Sequence, residues 1–507
     1  MLPSIRASLA AALLVGAGGS ALAAQAAPYV PLDDPRLPLF EHLVLRGDVA
    51  DPTPFVRPFL RSDALRSLAA ADTAPETASG RLIHALREEW SVPTSESWFD
   101  ARIRGGVQGY SHARRDPLHP AGPRGASPYA DLSLMAAYGN VILVTRPAVE
   151  PRLSKDADWT GRQGLKVTAR LVEGYASAQV KFARITYGQL DRNWGPAGIA
   201  GIPLSNIGYE RMGLALDIGS RTLRLSALAT DLHDAPDTTG QIAHRYFFVH
   251  RLGARLSKRV DLGLWESIVV AGVGRNFENR YRNPVSVGYL TNTIGLGAEG
   301  NNEMLGLDFH WRAFGRTSLE AQLALDDFYY QRRYENRDRY AFTLAAAGPV
   351  GGRAAWRALY TQVSSLALRT FNPTENFTDA GVGLGRNYSD NDQLTLTLTM
   401  PAGTHWLLTP ELTVLRQGEG AINDPYPVFG SPALEATPTL FIGTVERTYR
   451  AAIGLSGREG PIDLSANAGF HHIVNSGHQP GVSLNRFEGR LQLTVGISRR
   501  GALAGDE

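Results

Sequence analysis

Residues 305–312 read LGLDFHWR, and apolar side chains occupy every second position of this stretch. A period of two is typical of a β-strand with one apolar and one polar face. The same alternation returns along the chain from about residue 97 onward, for example at 165–171 (LKVTARL), 319–326 (LEAQLALD), 394–400 (LTLTLTM) and 490–497 (RLQLTVGI). The sequence therefore predicts an all-β domain over residues 97–499.

The length of the alternating runs favours a membrane barrel over a soluble β-sandwich. Sandwich strands typically have about 5 or 6 residues, whereas these runs approach about 9 or 10, enough for a tilted strand to cross a bilayer. Their polar face is rich in Gly, Ser, Thr and Arg, as expected of a wide, wet lumen. Roughly 400 residues at about 22 per strand and turn predict a transmembrane antiparallel β-barrel of about 18 strands. We expect the last strand to end near Ser498, before a polar tail at 500–507.

The N-terminus has the features of a secretory signal peptide. Arg6 precedes an apolar stretch at 9–15, and small-residue cleavage patterns follow at 21–23 and 24–26. The apolar core is far shorter than the roughly 20 residues that a spanning helix needs. We therefore expect residues 1–26 to be a signal peptide that is removed on export. The chain has no cysteine, which excludes disulfides, a lipoprotein thiol anchor and thiol-ligated metal sites.

Between the signal peptide and the strands, apolar residues follow a helical period instead. Residues 28–95 predict a small bundle of three short helices, at about 34–45, from about Ser62 onward, and at about 76–90. Ser62 or Asp63 is expected to cap the second helix. A bundle of this size buries little core by itself, so we expect it to pack against the periplasmic mouth of the barrel.

The charge of the chain is nearly balanced, with a formal net charge of +2, and gives no reason to expect a nucleic-acid partner. Nearly all basic residues are arginine, because lysine occurs only at Lys155, Lys166, Lys181 and Lys258. Genomic base composition produces such a bias, and so does an arginine-lined interior suited to acidic sugars. The arginine-rich stretches 275–282 and 332–339 are open to two interpretations, as lipid-headgroup contacts or as an electropositive surface for an acidic polymer.

The densest group of unusual residues lies at 187–196 (YGQLDRNWGP), followed by 203–206 (PLSN). Gly-Pro interrupts a strand, and backbone that leaves a barrel wall is stable only in the lumen or in water. We therefore expect this segment to fold inward and to bring together Asp191, Arg192, Trp194 and Asn206. In one interpretation these residues contact a saccharide, with the aromatic ring stacked on a sugar face. In the other, the segment is a turn that braces the lumen through an Asp191–Arg192 pair.

Together with this segment, several short motifs in the same order resemble the capsule-assembly Wzi family of outer-membrane proteins. They cover nearly the whole mature chain and include 31–35 (PLDDP), 250–252 (HRL), 283–284 (NP), 302–306 (NEMLG), 326–328 (DDF), 383–385 (GLG) and 418–420 (GEG). The resemblance implies an 18-stranded barrel with a periplasmic helical bundle. It also implies a lectin-like role that holds capsular or related exopolysaccharide at the surface of a Gram-negative-type cell. Asn193 departs from the family, which more often has a second aromatic residue beside Trp194.

Catalytic and metal-binding functions find little support in the sequence. The histidine groups lack partners at metal-ligand spacing; they are His112 with His119, His244 with His250, and His471-His472. No nucleophile elbow occurs, and the adjacent acids Asp326-Asp327 point to opposite faces of a strand, so they cannot flank one glycosidic bond. We therefore expect no enzyme, no metal and no cofactor.

The sequence leaves three functional hypotheses. The first is an outer-membrane protein that associates capsular or exopolysaccharide with the cell, with surface loops at 111–127, 231–241 and 418–437. The alternative is a diffusion porin for small anionic solutes, motivated by lumen-facing arginines. The third is a structural partner that docks polysaccharide export machinery through the helices. In each case the barrel contacts outer-membrane lipid.

Overall fold

The computed structural model describes residues 26–93, 95–111, 122–277, 301–327, 339–428 and 431–503. Residues 1–25 of the expected signal peptide, most of the two arginine-rich stretches and much of the polar stretch 111–127 lie outside these ranges. None of the helices in the described ranges is long and apolar enough to cross a membrane.

Eighteen long strands form one antiparallel sheet, and two very short strands form a separate hairpin. Numbered along the chain, they are β1 Ser97–Tyr110, β2 Gly125–Tyr138, β3 Val141–Val149, β4 Ala169–Val180, β5 Ala183–Gln189, β6 Met212–Gly219, β7 Leu223–Pro236, β8 Ile242–Arg255, β9 Val260–Val273, β10 Asn301–Arg312, β11 Ser318–Asp327, β12 Arg339–Val350, β13 Ala354–Val363, β14 Thr378–Asp379, β15 Val382–Gly383, β16 Asn391–Ala402, β17 Trp406–Gln417, β18 Glu446–Glu459, β19 Ile462–Val474 and β20 Ser483–Ala502.

The sheet closes into a barrel because β1 pairs with both β2 and β20. The other neighbours are consecutive along the chain, except that β13 pairs with β16 across the short hairpin β14–β15. Closure removes the unpaired edges that an open sheet would present. The structure thus confirms the predicted antiparallel barrel of about 18 strands.

The last strand is longer than the sequence predicted. Strand β20 continues past Ser498 to Ala502, which lies opposite Trp98 of β1. The prediction followed the end of the apolar alternation at Ile497, and it was wrong because the register with β1 extends the pairing through polar residues. Residues 499–502 belong to the seam of the barrel rather than to a free tail.

Side chains alternate between the two faces of the barrel wall. The outward residues Ile103, Leu143 and Leu264 are 53, 55 and 55% exposed, whereas Arg104 and Val144 point inward and are buried. Many other outward positions are apolar and exposed in the same way. A wall whose outer face is an exposed apolar band is the arrangement of outer-membrane barrels.

Between residue 26 and the barrel, the described residues form three helices, in agreement with the number predicted: α1 Leu37–Leu45, α2 Arg61–Ala69 and α3 Ala78–Trp90. A fourth, α4 Pro432–Ala436, lies between β17 and β18. The three N-terminal helices share a core in which Phe40 packs against Phe59 and Trp90, with ring centroids 5.1 and 5.5 Å apart. Leu407 of β17 belongs to the same core, so the bundle and the barrel are packed together.

Two helix starts differ from those that the sequence predicted. Helix α1 begins at Leu37 rather than near Asp34, because the Asp34 carboxylate accepts a hydrogen bond from the amide two residues on, at 2.9 Å, and forms a turn. Helix α2 has Leu60 at its N-cap and no side-chain cap. The expected capping role of Ser62 or Asp63 was therefore wrong.

The connections between strands differ in length at the two ends of the barrel. At one end, eight short turns join the strands. The turn after Tyr138 has two residues, and the longest, after Arg312, has five. At the other end lie the long connections, including 190–211 and 364–390. The N-terminal helices lie at the short-turn end, where Arg46 donates to the carbonyl of the first residue of β13 at 2.6 Å.

Candidate functional site

Among the described residues, three segments enter the barrel and fill its lumen, and we call them the lumen plug. Residues 26–60 enter from the short-turn end, and residues 190–211 and 364–390 enter from the long-loop end. Apolar side chains of the plug form one core with inward residues of the wall; this core includes Trp194, Ile202, Leu204, Leu368, Phe377 and Leu384 of the plug, and Phe247, Val249, Trp265 and Met304 of the wall.

The segment 190–211 folds inward, as the sequence predicted, directly after β5. The Trp194 amide donates to the Leu204 carbonyl at 2.8 Å and closes a loop. The Asn193 side chain holds this loop from inside, because its carbonyl oxygen accepts from the Gly201 amide at 2.6 Å while its amide group donates to a second backbone carbonyl at 3.0 Å. The loop is therefore fixed by its own buried hydrogen bonds.

Side chains of the wall hold the plug from outside. Gln322 of β11 accepts from the Ile202 amide at 2.9 Å and donates to the Trp194 carbonyl at 3.1 Å. Arg245 of β8 donates to the carbonyls of Asn376 and Thr378 at 2.9 and 2.8 Å. Backbone groups of both long-loop segments are thus bonded directly by side chains of the strands.

The four residues singled out from the sequence do not form one exposed site. Trp194 and Arg192 are 5 and 8% exposed, Asp191 is partly buried, and Asn206 is exposed. Among the described residues no ion pair joins Asp191 to Arg192, whose guanidinium donates to a backbone carbonyl at 3.1 Å. A buried indole offers no face to a sugar. The geometry is that of a motif that braces the lumen, and Asn193 does the bracing that the sequence assigned to the Asp191–Arg192 pair.

Burial dominates the electrostatics of this part of the plug. It raises the pKa of the Asp191 carboxyl well above its usual value, and nearby Glu210 raises it further. Burial also lowers the pKa of the Arg192 guanidinium. Cavities of about 10 and 30 Å³ lie beside these side chains, and such volumes accommodate about one or two water molecules. They have no room for a sugar ring.

Inward arginines on the β1–β4 side of the wall are paired with carboxylates. Arg104 binds Asp131 of the neighbouring strand. Arg146 binds Asp33 of the plug through two hydrogen bonds of 2.9 Å. Burial raises the pKa of Asp33, but Arg146 outweighs this effect and holds the pKa at about 2. The interior contains the expected arginines, and these carboxylates compensate their charge.

An exposed group of apolar side chains lies at the long-loop end, and we call Phe371, Tyr426 and Val428 the aromatic patch. The rings of Phe371 and Tyr426 meet edge to face with centroids 6.4 Å apart. Phe371 is 67% and Val428 73% exposed. The Arg339 guanidinium lies 5.3 Å from the centroid of the Tyr426 ring. Asp424, two residues before Tyr426 in the sequence, is partly exposed. Exposed aromatic surface beside charged groups is typical of a binding site.

Hydrogen bonds between neighbouring loops fix the position of the aromatic patch. Asn423 donates to the Gly381 carbonyl at 2.8 Å and joins the β17–β18 connection to the β14–β15 hairpin. Beneath the patch, Arg369 is buried and donates to the carbonyls of Asp424 and Ser365 at 3.3 and 3.0 Å. Burial raises the pKa of the Tyr426 hydroxyl, so this group remains a hydrogen-bond donor at neutral pH. Tyr426 and Val428 lie in the surface loop 418–437 that the sequence predicted, but no motif indicated that Phe371 of another loop meets them.

Within the described ranges, no group of three His, Asp or Glu side chains is arranged to hold a metal ion. His244 contacts Asp234 at 3.0 Å and His250 contacts Glu266 at 2.8 Å, each a single carboxylate partner. His112 and His119 lie outside the described residues.

Comparisons with known proteins relate this chain to outer-membrane barrels. No family model and no curated protein matches the sequence. The fold is similar to that of Wzi from Escherichia coli, described as a carbohydrate-binding β-barrel involved in group 1 capsule assembly, with a TM-score of 0.65 and 13% identity over 94% of this chain and 100% of that chain. Acinetobacter baumannii OccAB4 (TM-score 0.45, 10% identity, 80% of this chain and 99% of that chain) and Pseudomonas aeruginosa OprD (0.44, 11%, 79% and 95%) also match. The fold is that of an 18-stranded, Wzi-like outer-membrane β-barrel.

Proposed function

We propose that this protein is a non-enzymatic, lectin-like outer-membrane protein that associates capsular or related exopolysaccharide with the cell surface. The observation that carries the proposal is the filled lumen. Three segments occupy the interior and are held there by buried hydrogen bonds such as those of Gln322 and Arg245. A lumen filled in this way disfavours diffusion through the centre and favours a role for the surface of the barrel.

In this proposal the long-loop end faces outward and the helical bundle faces the periplasm. Short periplasmic turns and longer external loops are the usual arrangement of such barrels. The aromatic patch then lies at the cell surface, where Phe371 and Tyr426 offer rings to sugar faces and Asp424 offers a carboxylate to hydroxyl groups. Fold similarity to a carbohydrate-binding barrel agrees with this assignment. The bundle at 28–95 would remain accessible to polysaccharide export machinery.

The diffusion porin is the weaker candidate. It was motivated by lumen-facing arginines, but Arg104, Arg146 and Arg170 each have carboxylate partners. A pathway for small anions needs cations that face open water, and these arginines are instead paired with carboxylates. Conductance in planar bilayers separates the two candidates, since a porin gives large, stable steps.

The decisive test is the partition of polysaccharide between cells and medium. A deletion strain and its complemented control are grown in parallel, and polymer is measured in the cell-bound and released fractions. We expect the deletion strain to synthesise polymer but to release most of it, and complementation to restore retention. Unchanged retention, together with stable conductance of the purified protein, would transfer the assignment to the porin.

A further inference from the structure

Exposed cations are concentrated on neighbouring short turns of the barrel. The turns after β4, β6, β8 and β12 carry five of them, which we call the basic arc: Lys181, Arg221, Lys258, Arg259 and Arg353. The turn after β10 lies within this series and carries Arg316, which binds Asp48 of the plug. The other three short turns, at 139–140 (GN), 403–405 (GTH) and 460–461 (GP), contain no lysine or arginine. The charge therefore follows one continuous part of the rim, from β4 to β13.

The basic arc lacks compensating acids in the described part of the chain. None of its five side chains forms an ion pair there, in contrast to Arg316. Helix α2 lies close to the arc: burial lowers the pKa of its Arg66, and nearby Arg221 and Arg224 lower it further, although Arg66 itself is paired with Asp63. Like charges held together without counterions favour the binding of anions from outside.

Exposed apolar side chains alternate with these cations. Phe182 is adjacent to Lys181 and is 65% exposed; Leu256, two residues before Lys258, is also 65% exposed. Phe314, in the turn after β10, is 79% exposed. Large apolar tips beside lysine and arginine are the pattern of a membrane–water interface, where rings enter the acyl region and cationic heads reach the phosphates.

The distance of these cations from the strand ends matches the position of the lipid headgroups. Each lies within three residues of the end of a strand, for example Lys258 after Arg255. At about 3.3 Å per residue, the charges are within roughly 10 Å of the strand ends, and a headgroup layer extends about 5–8 Å beyond the hydrocarbon. A soluble acidic partner would account for the cations but would leave the apolar tips without a reason.

We propose that the basic arc binds the phosphate groups of anionic phospholipids in the leaflet at the short-turn end of the barrel. Such contacts tether one part of the rim to anionic lipid and so select which lipids surround β4–β13. The inference rests on the membrane barrel and not on polysaccharide binding, so either can fail while the other stands.

The test compares two sets of substitutions with identical changes in composition and charge. The arc variant combines Lys181→Gln, Arg221→Gln and Lys258→Gln. The control variant combines Lys155→Gln, Arg162→Gln and Lys166→Gln, three exposed cations between β3 and β4 at the long-loop end. Both are made in the mature full-length chain, and heat-modifiable gel migration verifies that each barrel is folded.

Native mass spectrometry in non-ionic detergent then measures binding of phosphatidylglycerol and of phosphatidylcholine. We expect the wild type to prefer phosphatidylglycerol, and the arc variant to lose about tenfold or more of that affinity, since each cation near an anionic lipid surface contributes severalfold. The control variant should retain the preference. Equal binding of the two lipids by the wild type, or equal losses in both variants, would overturn the proposal. Displacement of phosphatidylglycerol by equimolar inorganic phosphate, or tight binding of polyglutamate in its place, would also overturn it.

Discussion

Arg57 and Asn193 pair their backbones inside the barrel: the Arg57 amide donates to the Asn193 carbonyl at 2.9 Å, and the Asn193 amide donates to the Arg57 carbonyl at 3.0 Å. One residue comes from the segment that enters at the short-turn end, and the other comes from a segment that enters at the opposite end. The plug is therefore continuous across the lumen rather than two separate caps. Arg57 is itself fixed by Asp51, at 2.7 Å.

Loss of the Asn193 side chain is expected to loosen this junction. Asn193→Ala removes two buried hydrogen bonds within the loop, which costs about 1–3 kcal/mol of local stability because backbone groups lose their partners. We expect the wild type to give no large, stable conductance steps in planar bilayers, and the variant to give transient openings. Asn206→Ala is the matched control, since Asn206 is an exposed amide of the same segment. Identical traces from both variants would contradict the bracing role.

A second prediction concerns the contact between the two long-loop segments. A Cβ at Gly385 would lie 1.8 Å from the Ile202 carbonyl oxygen, so Gly385→Ala must push the segments apart. Overpacking of this kind typically costs about 1–3 kcal/mol or more. We expect faster proteolysis of 190–211 and 364–390 with the barrel still folded. Gly105→Ala, on β1, meets nothing within 4 Å and should leave cleavage rates unchanged; equal effects of the two substitutions would refute the close approach.

The barrel wall was predictable from the sequence because its signal is local. The period of two at 305–312 recurs through the domain, and Gly195-Pro196 marked the inward segment. The path of 364–390 carries no such signal. Leu368 and Ala380 have φ values of 70° and 48°, which non-glycine residues seldom adopt. A tertiary contact holds Leu368 there, because its amide donates to Asp326 at 2.9 Å, and Ala380 lies in the tight turn between β14 and β15.

Side-chain roles at the site were less predictable for a related reason. Trp194 and Arg192 have the residue types of a sugar contact, but exposure decides whether they act as one, and exposure depends on what else enters the lumen. The aromatic patch shows the converse, since Phe371 and Tyr426 are distant in sequence and meet only in the folded barrel. A single sequence carries neither piece of information.

The plug is expected to become less stable as the pH rises from about 4.5 to about 7. Burial raises the pKa of Glu375 from 4.5 to about 7, so an unfolded segment loses this proton at a lower pH than the folded one does. The free energy of folding therefore becomes less favourable as the pH rises through this window, by up to about 3 kcal/mol in all. Above the window the penalty stays constant. Glu375→Gln should remove the dependence and should slow hydrogen exchange of 364–390 at pH 8, but not at pH 4.

The control for this prediction is Glu435→Gln, which neutralises an exposed carboxylate at the same end of the barrel. Its exchange rates should follow those of the wild type at both pH values. If Glu375→Gln exchanged as fast as the wild type at pH 8, the carboxyl would not have a raised pKa in the folded segment.

The aromatic patch is expected to supply most of the affinity for polymer at the long-loop end. In the double variant Phe371→Ala and Tyr426→Ala, purified polysaccharide of the producing cell should bind about 5-fold to 150-fold more weakly, because the two rings together contribute about 1–3 kcal/mol. Phe371→Tyr with Tyr426→Phe keeps both rings and should keep most of the binding. Biolayer interferometry of the detergent-solubilised full chain measures all three proteins.

Phe182→Ala with Phe314→Ala is the matched control, since it removes two exposed rings at the short-turn end. Polymer binding should be unaffected, because in the proposal the polymer contacts the aromatic patch at the long-loop end and not these two rings. Equal losses in the two double variants would indicate nonspecific adsorption to exposed rings. Full binding without Phe371 and Tyr426, in a protein that still retains polymer on cells, would move the contact to other loops while leaving the tethering function in place.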